Sequence, residues 1–148
     1  MQYLEVLIAA VAAFMLGFLW YTALFGKAWQ KETGVTDEQA QSGMAITHGT
    51  SFLMMCLIAM GLSHFLHGHS LEEQTFLHGA SHGAQVAILF TITGTAINYA
   101  YQKKSLKLWL IDAGYLVAFI ALQGGVILAL KMFTGAVAGD PDAAGSAG

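Results

Sequence analysis

The chain has 148 residues, 56% of them hydrophobic and only 10% charged, with a net charge of −3 and no Arg. Roughly a quarter of the residues in an ordinary soluble domain are charged, so this composition belongs to a protein whose solvent is a lipid bilayer, and it offers no basic patch suited to nucleic acid. Nearly every residue is committed to an apolar run, so a single domain is expected, with no separate soluble domain beside it.

A run of about 20 apolar residues crosses the roughly 30 Å hydrocarbon layer as a helix, and a helix satisfies its own backbone there. The first such run is Tyr3 to Phe25. Its start, Met1 to Glu5, carries no basic residue, and the apolar stretch continues past any small-residue cleavage site, so a retained span is expected rather than a signal peptide. The link after it holds Lys27, Trp29 and Lys31, and Thr36 is followed three residues later by Gln39, the spacing of a capping box that starts a short surface helix. The second run, Met44 to Leu66, contains the lone Cys56, which has no intrachain disulfide partner. A link without Lys leads to the third run, Phe76 to Tyr101. Lys103, Lys104 and Lys107 surround the next link, and the fourth run is Leu106 to Leu130, followed only by Lys131.

The expected fold class is therefore all-α, an integral membrane up-and-down bundle of four transmembrane helices over residues 1–133, with a disordered tail over 134–148 of mainly Gly, Ala and Asp. Lys in the first and third links places those links in the cytoplasm and both termini on the outer side. Trp20, Tyr21, Trp29, Tyr99, Tyr101 and Trp109 collect at the same boundary, where amphipathic rings prefer to sit. Small residues recur at four-residue spacing: Ala9, Ala13 and Gly17, then Gly79 and Gly83, then Ala121 and Gly125. Such stripes let helices approach closely in lipid, either inside one bundle or between subunits of a homo-oligomer.

Two segments carry a resemblance. Gly17-Phe-Leu-Trp-Tyr-Thr-Ala-Leu-Phe-Gly-Lys-Ala-Trp29 and Ser105-Leu-Lys-Leu-Trp-Leu-Ile-Asp-Ala-Gly-Tyr115 resemble the small bacterial membrane family known as domain of unknown function 1761. The resemblance covers nearly the whole chain up to the tail and implies four spans, hence a place in the bacterial cytoplasmic (inner) membrane. The family pattern has Pro after a Trp-Tyr-Ser step, where this chain reads Thr22-Ala23. The histidines are not part of that pattern.

Ionisable groups within a span are costly, so each needs a partner or a water-filled cavity. Asp112 lies roughly 6 to 9 Å inside the fourth span at 1.5 Å per residue. Its expected partners at that depth are His48, Asn98 and Tyr21, with Trp20, Lys27 and Lys107 nearby. Such a cluster is either a hydrogen-bonded staple that fixes helix register or a proton or ion station.

A second cluster is expected at the opposite end. His64, His67 and His69, with Glu72 and Glu73, precede His78 and His82, which share a helix face at four-residue spacing. Gln85 continues that stripe, and Gln123 and Glu5 fall near the same level. Imidazoles beside a carboxylate are ordinary ligands for Zn and related divalent ions. The candidate metal set is His78 and His82, completed by His64 or His67 and by Glu5 or Glu72. Interfacial packing and pH sensing are the alternative uses of these histidines.

A bis-His haem would need a second inner pair that the sequence lacks, and Met54, Met55, Cys56 and Met60 read as gap-fillers of an apolar helix. No nucleophile-plus-base pair or phosphate-binding Gly loop is present, so no enzyme is expected. The expected function is ion or metal handling by a small oligomeric membrane protein. Its alternative is an accessory or structural subunit of a larger membrane complex.

Overall fold

A computed structural model describes residues 2–70 and 73–138. The described residues are helical almost throughout and contain no strand. Helix α1, Gln2–Leu19, runs without Pro and passes directly into a π turn over Trp20–Leu24, closed by Phe25 N–H donating to Trp20 O at 2.8 Å. The chain then folds back tightly into α2, Gly26–Thr33. A Cβ on Gly26 would stand 2.5 Å from the Tyr21 carbonyl oxygen, so only Gly fits this corner. Gly34 ends α2 in the left-handed conformation that favours Gly.

Helix α3, Asp37–Gln41, starts at the expected capping box: the Gln39 amide donates to Thr36 Oγ1, and the Thr36 amide donates to Gln39 Oε1. Helix α4 spans Met44–Phe65 and buries Met55, Ala59, Leu62 and Ser63, one stripe at helical spacing. Helix α5, Phe76–Val86, is capped by the Thr75 hydroxyl, which accepts from the His78 amide at 3.2 Å. A second π turn over Ala87–Thr91 joins it to α6, Ile92–Tyr101. Ser105 Oγ accepts from the Leu108 amide at 3.1 Å and opens α7, Leu106–Ala138.

Among the described residues, three helices are long and apolar enough to cross a membrane: Tyr3–Leu24, Met44–Phe65 and Leu106–Gly135. The expected third run is helical along its whole length, but it is built of α5, a π turn and α6 rather than one uniform helix. Helix α7 continues past Leu130 to Ala138 and so enters the segment expected as tail; the rest of that segment, 139–148, lies outside the described residues.

Helix α7 is the inner helix, 39% buried against 22% and 17% for the spans of α1 and α4. Its Tyr115, Phe119, Ile120, Ile127 and Leu128 form the core with Ala9, Ala10 and Ala13 of α1 and Ala59 and Leu62 of α4. The small-residue stripes work inside the chain. Gly79 and Gly124 face each other so closely that a Cβ on either would strike the carbonyl oxygen of the other, and a Cβ on Gly83 would strike Ile120 O. Gly17 makes room for the Tyr115 ring in the same way. Bulky apolar side chains point outward instead, among them Leu4, Val11, Met15, Phe18, Leu53, Met60, Leu89 and Phe90. That surface suits acyl chains and not water.

Candidate functional site

Three imidazoles converge beyond the end of α4. Gly68, with φ of 93°, turns the chain back after the helix and brings His69 over the first turns of α5. His82 Nε2 lies 3.1 Å from His78 Nε2 and 3.4 Å from His69 Nε2, and ligand atoms of all three residues fall within 4.8 Å of one another. His69 Nδ1 sits 3.1 Å from the Leu66 carbonyl oxygen. A carbonyl only accepts, so Nδ1 carries the proton and Nε2 of the neutral ring presents its lone pair. The link is held in place by Gln74 Nε2, which donates to His69 O at 2.9 Å.

Protons alone satisfy this arrangement poorly. One N–H on His82 Nε2 points at a single neighbour, while the other nitrogen is left facing it without complement. A cation accepts all three lone pairs at once. Tetrahedral Zn with Zn–N bonds of about 2.0–2.1 Å separates its nitrogens by about 3.3–3.4 Å, close to the two separations found here. The backbone carbonyl behind His69 is the outer partner that metal-bound imidazoles ordinarily have.

Glu73 adds negative charge beside the cluster. The Ser70 hydroxyl and amide both donate to its Oε2, at 3.1 and 3.2 Å, and hold its carboxyl below the usual carboxylate range, helped by His69 and His78.

The expected ligand set is thus brought together only in part. His78 and His82 stand as the spacing required, but the third ring is His69; His64, in the last turn of α4, and His67, in the turn after it, are exposed and outside the group. Glu5 is elsewhere. It is 4% exposed, packed against the far end of α7, where Thr134 Oγ1 donates to its Oε1 at 3.4 Å, while Lys131 Nζ donates to Ser63 O at 3.0 Å. Glu72 lies outside the described residues. Gln123 is fully buried and donates to Met55 O at 3.0 Å, tying α7 to α4.

Asp112 has the partners its depth demands. Tyr21 donates to its Oδ1 at 2.7 Å and Tyr99 donates to its Oδ2, so one carboxyl group links α7 to the π turn after α1 and to the end of α6. Trp20 Nε1 donates to the neighbouring Ile111 O at 3.2 Å, and the Tyr21 ring stands edge-on to Tyr115 at 5.0 Å. Tyr21 is where the sequence placed it; His48 and Asn98 are not. His48 is exposed, with Nδ1 2.7 Å from Met44 O on its own helix and its ring edge-on to Phe14. Asn98 makes no hydrogen bond to Asp112, and the next residue, Tyr99, takes its place.

Just outside this cluster α2 docks on the start of α7. Glu32 receives a 2.5 Å hydrogen bond from Ser105 Oγ and pairs with Lys107 Nζ at 3.3 Å. These contacts, the Ser105 hydroxyl foremost, hold the Glu32 carboxyl below its usual range.

With this geometry in view, comparison with known proteins gives one family: the model described as "Protein of unknown function (DUF1761)" matches residues 4–128. No curated protein and no solved structure matches the chain.

Proposed function

The chain belongs to the DUF1761 family, and from that premise we propose that it is a non-enzymatic, four-span membrane protein that binds a divalent transition-metal ion of the zinc class through His69, His78 and His82. The fourth span in this reading is the α5, π turn and α6 unit, whose outward Leu77, Leu89 and Phe90 are as lipid-suited as those of the other three. Lys27, Lys31, Lys103, Lys104 and Lys107 then mark the cytoplasmic end, and the His cluster lies at the outer face with both termini. The observation that carries the proposal is the meeting of three Nε2 atoms at 3.1 and 3.4 Å, with the His69 tautomer fixed by Leu66 O.

The test is metal analysis of protein purified without an affinity tag, alongside His69→Ala and the His78→Ala/His82→Ala double variant. About one equivalent of Zn or a neighbouring transition metal per chain, lost in both variants, is the expected result; metal content unchanged in the variants, or absent from protein reconstituted with Zn, overturns the reading. The Asp112 cluster favours a different role. Both carboxylate oxygens already accept from phenols on two other helices, so that cluster serves as a staple, the part that an accessory subunit or homo-oligomer would also need. Copurification from native membranes separates a homo-oligomer from a subunit of a larger complex.

A further inference from the structure

The chain is acidic overall, yet five of its six Lys lie at one end of the bundle. There, between α6 and α7, a cavity of about 270 Å³ is lined by Ala96, Tyr99, Ala100, Lys104, Leu106 and Trp109. Its lining is mostly apolar and aromatic, with Lys104 and Ser105 as polar members, and Lys103 is the residue before Lys104 in the chain. Lys107 is taken by Glu32, whereas Lys103 and Lys104 form no ion pair among the described residues.

Lys103 is also the single non-Gly residue with a positive φ, 55°, among the described residues, at a helix end where Gly is the ordinary choice. A Lys kept in that backbone costs stability that Gly would not, which singles out its side chain as the useful part. The same wall carries Trp109, whose indole N–H is buried without an acceptor among the described residues.

We infer that this cavity binds an anionic phospholipid, its phosphodiester at Lys103 and Lys104 and the start of an acyl chain against Ala96, Ala100 and Leu106. An apolar slot with Lys104 on its lining and Lys103 beside it in the chain, neither ion-paired among the described residues, matches a ligand that is charged at one end and hydrocarbon at the other. The inference rests on the bilayer reading above and is independent of the metal site.

The experiment is lipid titration of the full chain in mild detergent, read by native mass spectrometry, with phosphatidylglycerol, phosphatidylcholine and inorganic phosphate as separate probes. Phosphatidylglycerol is retained at one per chain, and the other two are not. Each Lys near a membrane surface is worth about fivefold in binding, so Lys103→Ala/Lys104→Ala weakens retention about thirtyfold. The Lys27→Ala/Lys31→Ala control leaves it unchanged. Lys103→Gly relieves the left-handed backbone, so it raises the melting temperature while weakening the lipid about fivefold, which separates lost binding from lost folding. Equal loss in the Lys27/Lys31 control, undiminished retention in the Lys103/Lys104 variant, or comparable binding of inorganic phosphate overturns the proposal. Flotation of the unmodified protein with lipid vesicles tests the bilayer reading separately.

Discussion

Removing the Asp112 carboxyl should expose how the staple distributes its energy. Asp112→Leu leaves two phenol hydroxyls, on Tyr21 and Tyr99, without the acceptor each has now. Hydrogen bonds between helices in a bilayer average about 0.6 kcal/mol and reach about 1.7 kcal/mol, and one carboxyl group accepting from two phenols puts these two toward the upper end. The single substitution should therefore cost about 2–4 kcal/mol, including the penalty of stranding the hydroxyls. Removing the phenol hydroxyls as well, in the Tyr21→Phe/Tyr99→Phe/Asp112→Leu triple variant, should recover a large part of that loss, because no polar group remains unpaired. Reversible unfolding in mixed micelles, analysed as a double-mutant cycle, gives a coupling of about 1–2 kcal/mol between Asp112 and each Tyr. Strict additivity, or a triple variant less stable than Asp112→Leu, would refute the staple.

The same geometry sets four further outcomes. Gly79→Ala and Gly124→Ala each force a methyl group into a facing carbonyl and should cost at least the roughly 1–3 kcal/mol typical of an overpacked core, read as a lower melting temperature. Zn affinity should fall in acid, because a protonated imidazole has no lone pair to give the metal, and a chelator should lower the melting temperature of the loaded protein but not of His78→Ala/His82→Ala. Glu32 titrates below its ordinary value, so its contribution to docking α2 on α7 is present above the unfolded carboxyl pKa and is lost as pH falls through the folded one; Trp29 fluorescence should report that acid release, and Glu32→Gln should remove it. Glu73→Gln should weaken Zn binding severalfold without abolishing it, since its charge neighbours the site while its oxygen is engaged by Ser70, as an isothermal titration would show.

Much of this arrangement is legible in the residues, and the misses share a cause. The long apolar helices, the Thr36 capping box, the close glycines and the His78 and His82 pair all obey the spacing of a regular helix. Regular spacing stops at the π turns. Each inserts an extra residue into the helical ladder and rotates the helix beyond it by about 100° relative to an unbroken one, which is why Tyr99 rather than Asn98 reaches Asp112. Depth in the membrane likewise gives a residue's level along the bundle axis but says nothing about azimuth, and His48 is exposed beside Phe14 instead of facing Asp112. The direction of His69 is set by the left-handed turn at Gly68, a loop property that no periodicity encodes, so spacing alone does not select it. The two segments on which the family resemblance rests contain Trp20, Tyr21 and Asp112, so they coincide with the staple rather than with the histidines.

The seam where Gly79 meets Gly124 has a mechanical meaning. With main chain pressed on main chain, the α5 and α7 pair has no lateral play and must travel as one rigid plank. His69, by contrast, stands on the turn that follows α4, a helix that Gln123 and Lys131 already tie to α7. An ion shared by His69, His78 and His82 would therefore be one more bolt between α4 and that plank, set at the Gly68 turn.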